Sequence, residues 1–86
     1  MVDVPKGHVR TDVPGAPFRI GDKVRVVRGI DETFDRRFLR RVGFIEHFEY
    51  SCGCAQTYPN DPMIGVQFRS REVEEFWQEE LRLLDK

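Results

Sequence analysis

Cysteine is scarce, long apolar runs are missing and net charge is nearly nil. Each shortage closes off a class of protein. The 86 residues contain two cysteines, Cys52 and Cys54, separated by Gly53. That is no disulfide framework, and it fits a reducing compartment. No apolar run approaches the ~20 residues of a membrane-spanning helix. The opening Met1-Val2-Asp3-Val4-Pro5-Lys6 has no apolar stretch of a signal peptide, so a cytoplasmic location is expected. A formal net charge of -1 argues against a generic nucleic-acid binder, which carries an excess of base. There is no nucleophile elbow, no glycine-rich helix start and no third member for a Cys-His pair, so no catalytic set is expected. A chain this short hides only about 60% of its unfolded surface, which leaves little room for a deep cleft.

What is present is unevenly placed. Residues 19–41 hold eight Lys/Arg against four acids, and residues 72–86 hold six acids against Arg82 and Lys86. Seven Phe, two Tyr and one Trp can fill a small core with few side chains. Residues 1–17 carry Pro5, Gly7, Pro14, Gly15 and Pro17, a density that forbids a helix and spoils a ladder. They read as a flexible or extended tail that Val9, Val13 and Phe18 can strap across a domain spanning 18–86.

Ile20-Gly21-Asp22 reads as a turn. Lys23 to Arg28 alternates, with Val24 and Val26 inward, as a half-buried strand does. Residues 31–41 read as a long charged loop holding one helical turn, capped by Thr33 or Asp31. Arg41 to Tyr50 is a strand whose parity slips, and Gly43 is the expected place for a bulge. Residues 51–62 form a loop. Met63 to Phe68 and Val73 to Phe76 read as a hairpin about Arg69-Ser70-Arg71. Trp77 to Leu81 makes a helical turn, and Arg82 to Leu84 a last strand. The class is therefore all-β: a small five-stranded barrel of the SH3-like kind, with one or two helical turns and an extended N-terminal tail.

Several phrases strengthen that reading. Phe18-Arg19-Ile20-Gly21-Asp22-Lys23-Val24-Arg25-Val26, Arg41-Val42-Gly43-Phe44-Ile45-Glu46, Ile64-Gly65-Val66-Gln67-Phe68 and Phe76-Trp77-Gln78-Glu79-Glu80-Leu81 follow one another along residues 18–84. Together they resemble the C-terminal SH3-like domain of the nitrile hydratase beta subunit. More distantly they are similar to the variable chain of ferredoxin-thioredoxin reductase, a photosystem I stromal subunit and the nitrogen-fixation accessory protein NifZ. The resemblance implies a non-catalytic accessory module that binds a larger, metal- or redox-cofactor enzyme. Cys52-Gly53-Cys54 departs from that pattern.

Loops projecting from a rigid barrel are the expected contact surface. They place Arg36, Arg37, Arg40 and Arg41 at one docking patch, with Tyr58 and Asp61 in the neighbouring loop. The alternative is a solvated face paired with the acidic C-terminal stretch. Cys52, Cys54 and His47 are candidate ligands for a soft metal or members of a redox site, with His8 as a remote fourth. The plain alternative makes the cysteines small residues of a tight loop. Beyond that candidate metal no cofactor is expected. An RNA-binding barrel is the remaining alternative, disfavoured because the aromatics read as core. Glu74, Glu75, Glu79 and Glu80 read as a solvated acidic edge, and the first and last strands as a seam where opposite charges balance.

Overall fold

A computed structural model describes residues 7–30, 32–50 and 60–84. Tyr58, Cys52 and Cys54 therefore lie outside the described residues. Alternation of valine with charge makes β2 (Lys23–Val26), whose Val24 and Val26 are fully buried while Lys23 and Arg25 face water. β3 (Val42–Glu49) pairs with β2 through its first half and with β4 (Met63–Phe68) along its length. β5 (Val73–Phe76) returns beside β4, and β6 (Leu81–Leu83) closes against β2. The antiparallel order β5-β4-β3-β2-β6 is that of the expected five-stranded SH3-like barrel.

A sixth strand was not expected. β1 (His8–Val9) pairs with Glu49 and Phe48 of β3. It takes up the part of β3 that the shorter β2 leaves open. Val13 is buried in the core behind it, and Asp12 accepts a hydrogen bond from the Ile20 amide at 2.7 Å.

The core joins Val24, Val26, Ile45, Ile64 and Val66 to an aromatic cluster. Phe38 stacks on Phe68 with centroids 4.9 Å apart, and Phe76 meets both edge-on at 5.9 and 6.0 Å. Phe38 reaches them because a 3₁₀ turn (Arg36–Phe38) folds the first long loop inward. Its cap is Asp35, whose carboxylate accepts from the Arg37 amide, and not Thr33; Asp31 lies outside the described residues.

The parity slip of β3 is resolved at Glu46, not at Gly43. Ile45 pairs with Val66 and His47 with Gly65, which leaves Glu46 as the extra residue. Gly43 has another task. A Cβ there would lie 2.6 Å from Val66 Cγ1 and 2.7 Å from the Gln67 carbonyl oxygen, so the glycine admits the close approach of β4.

The β4–β5 hairpin turns through Arg69-Ser70-Arg71, with Arg71 in the left-handed region at φ 73°. Glycine normally holds that position in a three-residue hairpin loop. Arg71→Gly is therefore expected to raise stability by about 1 kcal/mol, read as a higher urea midpoint at unchanged slope.

Candidate functional site

The arginine loop is less available than its sequence implies. Arg41 lies over the Phe38 and Phe68 rings at 5.1 and 4.8 Å and reaches Glu72 at 3.4 Å and Ser70 at 3.1 Å. Arg37 is held by Asp35 at 2.9 Å. The Arg37 hydrogen bond keeps the Asp35 carboxyl below its ordinary range, and Ser70 with Arg41 does the same for Glu72. Arg36 and Arg40 remain exposed, Arg36 on the rim of an open groove of about 550 Å³ with Arg28, Glu32, Phe34 and Leu39. Asp61 is half-buried and accepts from the Gln78 amide group at 3.4 Å. The structure thus places Arg36, Arg37, Arg40 and Arg41 on one loop, with Arg41 tied to the barrel and Arg37 held within the loop. Asp61 is anchored to the second 3₁₀ turn (Gln78–Glu80).

Among the described residues, charge does not balance across the β2–β6 seam. Arg25 sits opposite Arg82, so like charges meet there. Most acids preceding β6 are carried elsewhere: Glu74 and Glu75 lie on β5, at the other edge of the sheet, and Glu72 just before it. Glu80 is not on a solvated edge at all. It is 3% exposed, and its carboxylate accepts from the Ile30 amide at 3.0 Å and the Trp77 amide at 2.9 Å. The aromatic-x-x-Glu spacing of Trp77 and Glu80 was the available signal for this cap.

The outer face of β3, β4 and β5 gathers what the sequence had scattered. One cross-strand row runs Lys23, Phe44, Gln67, Val73. Phe44 is 54% exposed and Val73 43% exposed, so not every aromatic is committed to the core. The next row runs His47, Gly65, Glu75. Because Gly65 has no side chain, the His47 ring lies down over β4 and is buried. Its Nε2 faces Glu75 at 2.9 Å and its Nδ1 contacts Glu46. That contact, then Arg10 at 3.4 Å, holds the Glu46 carboxyl below its usual value. His8 stacks on His47 with centroids 4.1 Å apart, its Nε2 lying 3.5 Å from Glu75 and 3.8 Å from Glu49. Together they line a shallow groove of about 420 Å³ with Arg10, Val73 and Glu74.

His47 therefore has histidine and carboxylate neighbours, and among the described residues the metal-competent group is His8, His47 and Glu75. The bulge at Glu46 is what turns His47 onto this face, and no local pattern announces its position. Among the described residues no helix is long and apolar enough to cross a membrane.

The chain resembles the antirepressor protein CarS of Myxococcus xanthus, with 38% identity over 84 residues, 96% of this chain and 75% of that protein. No solved structure gives a significant match. The narrower likeness to nitrile hydratase and NifZ is not what the comparisons bring out; the shared SH3-like barrel is. Residues 1–84 match the family described as the CarS bacterial SH3 domain, and the chain belongs to that family.

Proposed function

We propose that this chain is a non-catalytic regulatory module that docks on a repressor and relieves its action. The observation that carries this reading is the extended similarity to a protein named as an antirepressor. The barrel is built for contact rather than turnover: its described grooves are shallow and no nucleophile, base and oxyanion donors converge in them. A larger enzyme as partner has only the barrel shape behind it, so a repressor is the better-supported partner.

The outer face of β3–β5 is the surface that fits such a partner. Repressors grip DNA phosphates with Lys and Arg, so the docking surface needs acids. Glu46 and Glu75 lie on this face with the exposed Phe44 and Val73, so apolar side chains and acids share one surface. The arginine loop supplies a weaker case, since its charge has the same sign as the Lys and Arg with which a repressor grips DNA.

The test is a calorimetric titration of this chain against the repressor that the Myxococcus xanthus relative counters. The unaltered chain binds. Phe44→Ala with Val73→Ser weakens binding by about 10-fold or more, while stability changes by no more than about 0.5 kcal/mol because both side chains are exposed. Undiminished binding by that variant removes the outer face from the account. Weakening by Arg36→Glu with Arg40→Glu alone moves the contact to the loop.

A further inference from the structure

We propose that His8, His47 and Glu75 form a binding site for a divalent transition cation of the zinc class, which straps β1 onto the barrel. The three residues come from β1, β3 and β5, and each offers one ligand atom within 4.8 Å of the other two. His47 Nε2 to Glu75 Oε2 is 2.9 Å, and His8 Nε2 to the same oxygen is 3.5 Å. Two ligands of one tetrahedral zinc ion, each about 2 Å from the metal, lie about 3.3 Å apart. The two spacings to Glu75 bracket that value, and the two imidazole nitrogens lie within 4.8 Å of each other.

Hydrogen-bond accounting at His47 points the same way. Both ring nitrogens face carboxylate oxygens, Nδ1 that of Glu46 and Nε2 that of Glu75. In the neutral form that binds metals, one ring nitrogen donates its N–H to one carboxylate and the other turns a lone pair on the second, whereas an imidazolium donates to both. With the proton on Nδ1 and donated to Glu46, the Nε2 lone pair and the Glu75 carboxylate converge on one point. A cation at that point serves both. The carboxylate behind the histidine is the arrangement that orients metal-binding imidazoles and raises their basicity. Glu49 lies 3.8 Å from His8 Nε2 and adds a further negative charge beside the site.

Burial supplies the rigidity that such a site needs. The His47 ring is 3% exposed and lies where a Cβ on Gly65 would be, 2.0 to 2.5 Å from three of its atoms. His8 is the adjustable ligand. Its side chain is 45% exposed on a two-residue strand, so rotation about its χ angles carries Nε2 onto the ion at little cost. Two imidazoles and one carboxylate select borderline cations over calcium or magnesium, which favour all-oxygen shells. The fourth position is left for water or a partner's side chain.

The experiment titrates zinc chloride into untagged protein carrying Cys52→Ser and Cys54→Ser, so that thiols contribute nothing. Calorimetry reads affinity and stoichiometry, and nitrogen NMR reads the His8 and His47 ring nitrogens. One zinc ion binds per chain, and the Nε2 signals of both histidines shift. His8→Ala or Glu75→Gln lowers affinity by more than the ~10–100-fold typical of losing a supporting residue, and Glu46→Gln lowers it within that range. His8→Ala alters an exposed side chain, so the fold persists and the comparison stands. Affinity weaker than about 1 mM in the cysteine-free protein overturns the site. So does binding that His8→Ala and Glu75→Gln leave unchanged. The site shares Glu46 and Glu75 with the docking face, so the repressor titration is run without added zinc and read at Phe44 and Val73, which keeps the two outcomes distinguishable.

Discussion

Glu80→Ala is expected to lower the stability of the folded chain by about 3 kcal/mol, a large fraction of what a small domain has. The Glu80 side chain closes two connections that no other described group closes. It takes the Ile30 amide at the end of the first long loop and the Trp77 amide at the start of the second 3₁₀ turn. Its own backbone carbonyl also accepts from Val27 at 2.8 Å, next to the end of β2. One residue thus fixes the long loop, the 3₁₀ turn and the start of β6 to each other. Truncation leaves both amides without their charged acceptor, and each such bond is worth about 1.5–3 kcal/mol, the lower figure applying at Ile30, which is exposed. Glu80→Gln keeps one acceptor oxygen and is expected to cost about half as much. Urea unfolding of the three proteins measures both values. A Glu80→Ala loss below about 0.5 kcal/mol, the range of ordinary surface changes, contradicts the clamp.

The second large effect is at Gly65. Gly65→Ala puts a methyl group into the His47 ring, which can give way only by breaking its own contacts. His8 covers one face, and Glu46 and Glu75 hold its two nitrogens. The expected cost is about 1–3 kcal/mol, that of an overpacked site. The cause is testable apart from the size. If the clash is with His47, adding His47→Ala relieves it, and the double variant is more stable than the sum of the single losses predicts. Simple additivity means that the glycine serves some other purpose.

The barrel was legible in the sequence wherever the pattern is local. Lys23 to Val26 announces its faces by alternation, and the Ile20-Gly21-Asp22 turn is closed by Asp22 donating to the Arg19 carbonyl at 3.0 Å. The hairpin was visible although Arg71 holds the place of a glycine. The candidate site was not visible as a site, because three of its elements leave no periodic trace. β1 is two residues long, too short to alternate. The bulge falls on Glu46, while the glycine that drew attention, Gly43, serves close packing. Gly65 matters through what it leaves empty, which only the pairing of β3 with β4 reveals. The charge seam failed for a similar reason. Glu74 and Glu75 lie on β5 and Glu80 points inward, and on β6 itself Arg82 stands opposite Arg25.

The most direct test of an antirepressor role is an electrophoretic mobility shift with three components. The repressor countered by the Myxococcus xanthus relative is bound to its operator fragment, and this chain is added. The account predicts that the shifted DNA returns to its free position as the chain approaches stoichiometry with the repressor, and that the chain alone leaves the fragment unshifted. A repressor–operator complex that survives a large excess of the chain, or a chain that itself retards the DNA, contradicts it.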